Sequence, residues 1–209
     1  MKTLKILVIF GLFIIVAQCS FAQTTAAIGV NAVVDPQFEL TYWMREAPPG
    51  AYPEDGSDAD SIVFDNLQWD PTNHIWTASR YYTVFMIATT AGQPYEIEQT
   101  CVGLTRVGGG GDLNDSFIVT PGYEILDRWD GDDPLTAQGA MPGGDNYGTP
   151  GLAVTTNKLL YDGNSGLARI ARAYYGLSTG EPGTPGSPVT GDQLSGTYTG
   201  NVIITLVQR

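Results

Sequence analysis

The 209-residue chain carries 22 acidic against 10 basic side chains, a formal net charge of −12 at pH 7, so phosphate backbones and anionic lipid surfaces repel it. Its lysines and arginines are scattered singly, which excludes a nucleic-acid interface. The 26 glycines and 13 prolines leave little room for long helices, while 43% hydrophobic and 15% charged residues describe a folding chain rather than a disordered acidic one.

The first 22 residues read as a secretory signal: Lys2 and Lys5 precede an apolar run over residues 6–16, and Ser20 and Ala22 are the small residues of a cleavage site. The run is too short to span a bilayer comfortably, and no later stretch reaches the roughly 20 apolar residues a spanning helix needs, so no membrane insertion is expected. Gln18 stands before Cys19 where a lipoprotein signal has a small residue, which argues against lipidation. Removing the signal leaves Cys101 alone, without an internal disulfide partner and expected to be buried as a small apolar side chain.

From there the pattern is that of strands. Ile28, Val30, Ala32 and Val34 alternate with Gly29, Asn31 and Val33; after a turn at Asp35 and Pro36, Phe38, Leu40 and Tyr42 share one side of a second strand. Residues 44–60 form a polar, Pro-rich acidic loop, residues 62–67 resume the apolar pattern, and Asp70-Pro71-Thr72-Asn73 supplies a turn. The longest apolar run, residues 80–90, is rich in β-branched and aromatic residues; with residues 95–102 across the Gly92–Pro94 turn it reads as the core hairpin. Short strands are expected at 117–120, 123–126 and 159–162, separated by breaks at Gly108–Gly111 and over 127–151. Residues 167–177 read as a strand, although Leu167, Ile170, Ala171 and Tyr174 also mark one face of a short helix. After a flexible run over 178–192, Tyr198, Gly200, Val202, Ile204 and Leu206 face one way along a closing strand. Eight to ten short strands is the spacing of an antiparallel sandwich, and no repeat points to a propeller or solenoid.

His74 is the only histidine, it lies in a turn composition, and Cys-x-x-Cys and His-x-His spacings are absent, so neither triad catalysis nor a transition-metal site is expected. The acidic residues sit in loops, where charge is ordinarily solvated, and no enzymatic activity is expected. Two loops do gather carboxylates beside turn-permitting glycines, with Asp55, Asp58 and Asp60 in one and Asp130, Asp132 and Asp133 in the other; calcium is the fitting ion, though neither has EF-hand spacing.

Three stretches carry a resemblance: TTAAIGVNAVVD at 24–35, YTV at 82–84 followed by GQPYEI at 92–97, and GTYTGNVIITL at 196–206. Together they resemble the spore coat protein U and archaic chaperone-usher pilin group. That resemblance implies an immunoglobulin-like sandwich that lacks one strand, completed by the N-terminal extension of the next subunit, with a periplasmic chaperone and an outer-membrane usher as partners. The chain departs from that group in lacking a disulfide and in its long acidic insertion over 127–151.

The expected organisation is therefore all-β: a signal peptide at 1–22, an N-terminal donor strand at 23–35, and a single antiparallel immunoglobulin-like β-sandwich over 36–209. The donor row is Ile28, Val30, Ala32 and Val34, and the edge that receives a strand is the final one, with Tyr198, Val202, Ile204 and Leu206. The expected function is that of a structural subunit of an extracellular or cell-surface fibre, a homo-oligomer joined by strand exchange after passage through the periplasm. No cofactor is expected unless it is calcium. The alternative is a secreted, complete sandwich that binds carbohydrate or calcium through its acidic, aromatic-rich loops.

Overall fold

A computed structural model describes residues 38–51, 53–65, 67–123, 150–163 and 170–209. The chain divides into Met1–Val34 and Asp35–Arg209. The signal and the first strand, with Ile28, Val30, Ala32 and Val34, lie outside the described residues, as do Asp130, Asp132 and Asp133.

In chain order the strands are β1 (Glu39–Ala47), β2 (Ser57–Asp58), β3 (Gln68–Asp70), β4 (Ile75–Thr77), β5 (Tyr81–Thr89), β6 (Tyr95–Cys101), β7 (Thr105–Arg106), β8 (Phe117–Tyr123), β9 (Gly151–Leu152), β10 (Thr155–Gly163), β11 (Ile170–Leu177), β12 (Val189–Thr190), β13 (Tyr198–Thr199) and β14 (Val202–Gln208). All pairings are antiparallel, and the only helical turn among the described residues is the 3-10 turn Pro53–Asp55. A six-stranded sheet runs β2-β1-β5-β11-β8-β9 and a three-stranded sheet runs β10-β6-β14. They share one core, in which Tyr82, Val84, Met86, Ala173 and Tyr175 of the first meet Tyr95, Ile97, Cys101 and Leu160 of the second. The all-β expectation holds, in a sandwich-like arrangement of two layers.

The expected core hairpin is not one. β5 pairs with β1 and β11, whereas β6 pairs with β10 and β14, so the chain crosses from one sheet to the other between them. Ala91 (φ 50°) and Gly92 (φ 82°) turn the backbone there. Sequence composition distinguishes the two strands after the fact. β5 is buried along both faces, in keeping with its unbroken apolar run, while β6 alternates buried and half-buried positions with its apolar residues inward. β1 reaches Ala47, into the stretch expected to be loop. The pieces expected at 117–120 and 123–126 belong in part to one strand through Pro121, which the sheet tolerates because the neighbouring β9 pairs only with Ile118 and Val119.

Two polar side chains inside the core are joined in one chain of hydrogen bonds. Tyr175 donates its hydroxyl to Gln99 Oε1 at 2.5 Å, and Gln99 Nε2 donates to the Ala153 carbonyl at 2.8 Å, linking β11, β6 and the turn before β10. Burial pushes the Tyr175 hydroxyl well above its usual pKa, so it stays a donor throughout the accessible pH range. On the outer face of the six-stranded sheet, Trp43, Phe85 and Arg172 form one cross-strand row. Trp43 stacks on Phe85 at 5.0 Å, and the Arg172 guanidinium lies 5.1 Å from the Phe85 ring centre. Arg172 Nη2 also meets Glu54 Oε1 at 2.6 Å, fastening the 3-10 turn to this face.

Replacing Tyr175 by Phe leaves Gln99 Oε1 buried without its donor. We expect a loss of about 1–3 kcal/mol in urea unfolding. A single variant as stable as the parent contradicts the assignment.

Candidate functional site: an open groove between the two sheets

Among the described residues, the two sheets do not close on each other at one side. β14 is the edge of the three-stranded sheet, and its register with β6 sets Val202 opposite Cys101, Ile204 opposite Gln99 and Leu206 opposite Ile97. The β6 partners are 3%, 0% and 0% exposed, yet Val202, Ile204 and Leu206 are only half-buried. Burial thus falls away within a single strand spacing, although all six side chains point to the same layer.

The facing wall is β1. Leu40, Tyr42 and Met44 share its inner side, and Tyr42 pairs with Met86 of β5. Met86 is fully buried while Tyr42 is 70% exposed. An inner-face aromatic so exposed marks a layer without cover. β2 pairs with β1 only at Arg45 and Glu46, so among the described residues Glu39–Trp43 has no strand on its outer edge. Among the described residues β14 likewise has no strand on its side away from β6.

Between these two edges lies a cavity of about 1320 Å³. Val84, Tyr175, Phe117 and Cys101 form its floor; Leu104, Leu113, Trp76 and Val189 line its far end. The lining is chiefly aliphatic and aromatic, and its paired edges expose backbone N–H and C=O groups that only another strand can pair in a ladder.

Of the residues expected in the final strand, Val202, Ile204 and Leu206 are brought together along the groove. Tyr198 is not on their strand. The chain breaks at Gly200, where an added Cβ would collide with the Gly103 carbonyl oxygen, so residues 198–199 pair instead with β7. Tyr198 lines the far end of the groove, accepting from Gln193 Nε2 at 2.6 Å and donating to the Leu194 carbonyl at 2.5 Å. Leu40, Tyr42, Met44 and Cys101 line the groove without having been singled out for it. Their signal in the sequence is the shared side of Leu40 and Tyr42, which identifies a strand face but not what that face lacks.

In the acidic loop over 54–60, two carboxylates are paired with arginines. Asp58 meets Arg45 Nε at 3.1 Å, and Glu54 is held by Arg172. Among the described residues no group of three or more His, Cys, Asp or Glu side chains is placed to hold a metal ion, so Asp55, Asp58 and Asp60 are not gathered into a ligand set. Asp70 accepts from the backbone of Thr72 at 2.8 Å and from the Asn73 amide at 2.8 Å, which hold its carboxyl below the usual range. This is turn chemistry. Trp69 is partly exposed beside it, but it meets Trp76 and His74 at 57° and 63°, so the three rings form no flat platform. No known protein family and no curated protein matches the chain.

Cys101 is unpaired and 3% exposed, and burial pushes its thiol pKa up. We expect slow labelling of the native protein by a charged thiol reagent at pH 7 and complete labelling in denaturant. Native labelling at the denatured rate contradicts the burial.

Proposed function

We propose that the protein is a structural subunit of an extracellular or cell-surface fibre, joined to its neighbours by strand exchange. The observation that carries this reading is the open groove between β1 and β14, with its half-buried row Val202, Ile204 and Leu206 and the exposed Tyr42 opposite. The occupant is the N-terminal segment of a second copy, whose Ile28, Val30, Ala32 and Val34 recur with the strand period. Each aliphatic side chain moved from water into such a groove contributes about 1.5–3 kcal/mol for a residue of Val or Ile size. The added strand also pairs the free edge groups of β14, β1 or both.

In this reading the fold is an immunoglobulin-like sandwich short of one strand, similar to the archaic chaperone-usher pilin group. A secretory signal, a periplasmic chaperone that shields the groove and an outer-membrane usher belong to the same proposal. The carboxylates at 130, 132 and 133 lie outside the described residues and add nothing to it.

Purified protein at increasing concentration should run as a ladder of oligomers. Changing Val30 or Ala32 to Asp places a carboxylate on the row that enters an apolar groove, at a cost of several kcal/mol per junction, and should abolish the ladder while leaving the subunit able to bind the native segment supplied as a peptide. A wild-type monomer with a melting point indifferent to concentration, unfolded by the same substitutions, overturns the fibre in favour of an intramolecular strand.

A further inference from the structure

Part of the outer edge of β1 is left without a strand. Ala59 N–H donates to the Met44 carbonyl at 3.1 Å, beside the Arg45–Asp58 and Glu46–Ser57 pairs of β2. After Ala59 the chain leaves this edge: Ile62 and Phe64 turn onto the core, the Val63 carbonyl accepts the Tyr82 hydroxyl at 2.5 Å, and regular pairing resumes only at β3. The apolar alternation expected over 62–67 is thus real, but it covers a core rather than pairing in a sheet. Among the described residues, Glu39–Trp43 has β5 on one side and no strand on the other.

Backbone groups point alternately to the two sides of an antiparallel strand, so the Met44 bond fixes which of them lie on the free edge. Met44 points to β2. With an unbroken register against β5, Leu40 and Tyr42 point the same way, while Glu39, Thr41 and Trp43 point to β5. The edge therefore offers the N–H and C=O of Leu40 and Tyr42, placed evenly about Thr41. Tyr42 on one face and Trp43 on the other are both exposed beside it. The stretch has no proline and no lysine, and Glu39 is its one charge.

This edge is complementary to itself. Two copies laid antiparallel, with Thr41 against Thr41, set Leu40 of each opposite Tyr42 of the other and pair all the free groups in four hydrogen bonds. Each Glu39 then lies opposite Trp43 of the second copy, and no like charges face each other. Sliding the copies by two residues sets Leu40 against Met44, whose carbonyl Ala59 already occupies, or Tyr42 against Phe38, which lies outside the strand. A slide of one residue opposes groups that point to β5.

We infer that the free edge of β1 is a self-association surface, pairing with the same edge of a second copy about a two-fold axis between the two Thr41 residues. It does not rest on what fills the groove. A strand accepted there has the longer edge of β14, where Arg209 N–H donates to the Pro94 carbonyl and the same alternation leaves Val202, Ile204, Leu206 and Gln208 pointing away from β6. A pairing five residues long is smaller than the roughly 1,000 Å² of a stable interface, so it is weak between single subunits. It gains strength where many subunits are held in line, as along two fibres side by side. The net charge of −12 opposes it, so added salt strengthens it.

The test uses the full chain with Cys19→Ser and Cys101→Ser, mildly oxidised at increasing concentration. Thr41→Cys should give a disulfide-linked dimer, because a non-hydrogen-bonded antiparallel pair brings its Cα atoms to about 4.5 Å. Chains with Glu39→Cys and chains with Trp43→Cys should link to each other about tenfold faster than either links to itself. Tyr42→Pro removes an N–H that β5 does not use, so it should cut linking at position 41 about tenfold while melting is retained. Tyr42→Lys, which keeps every backbone group, should weaken linking in the same direction. No linking at 41, equal self-linking at all three positions, or linking at 41 indifferent to both changes of Tyr42 overturns the proposal. The set is repeated with Val30→Asp and Ala32→Asp: linking at 41 that persists without the ladder supports a contact separate from the groove, whereas linking lost with the ladder in a chain that still melts assigns it to the groove's strand and overturns the proposal.

Discussion

Two β-sheets packed face to face must cover each other's inner faces, and among the described residues the cover runs out at the outermost strands β1 and β14. From β8 across β11 to β5 on one side, and through β6 on the other, inner side chains are at or near zero exposure. At the next strand outward on each side, β1 and β14, the same faces open to solvent. A sheet edge with unpaired backbone groups and a half-covered apolar row is a liability that proteins blunt with charge, proline or covering segments. The groove rows of β1 and β14 carry neither charge nor proline, although Ile62 and Phe64 cover part of the core beside them. Leu40, Tyr42 and Met44 oppose Val202, Ile204 and Leu206, a composition suited to receiving a strand rather than repelling one.

The rest of the structure reinforces the rigidity of the two walls. The Tyr175–Gln99–Ala153 chain of hydrogen bonds ties the sheets together directly beneath the groove. Outside the six-stranded sheet, Arg172 lies over the Phe85 ring and holds Glu54, while Asp58, one of the residues read as a cation ligand, meets Arg45 of the sheet. At the last strand, Arg209 reaches back to Glu96 and Asp162, pinning the end of β14 across β6 to β10. A preformed groove between fixed walls loses little order on accepting a strand, which is the condition for tight association from a modest apolar area.

Much of this could be read from the sequence, and the exceptions have physical causes. β5 follows from its unbroken β-branched and aromatic run, and β6 and the β14 portion of the closing strand from period-two patterning. The false hairpin between β5 and β6 arose because a Gly-Pro turn between two apolar strands reads the same whether the chain folds back within a sheet or crosses to the facing one. The division at Gly200 was hidden because alternation continues through it; only the contact with the Gly103 carbonyl separates Tyr198 from Val202. Phe64 was legible as an apolar position but not as an unpaired one, since hydrophobic alternation reports burial on one side and is silent about backbone pairing. The row Val202, Ile204 and Leu206 was found from the sequence, whereas its opposite wall on β1 was seen as a strand face with no role attached.

The central claim is that the groove is filled by another copy of the chain. With Cys101 replaced by serine, a cysteine at position 32 is combined with one at 202, 204 or 206 in turn. Isotopically light and heavy chains are unfolded together, refolded and oxidised. The account predicts that at least one of the three pairs yields disulfide-linked peptides in which light and heavy partners are mixed; linked peptides that are always light with light and heavy with heavy, at every position and concentration, would contradict it.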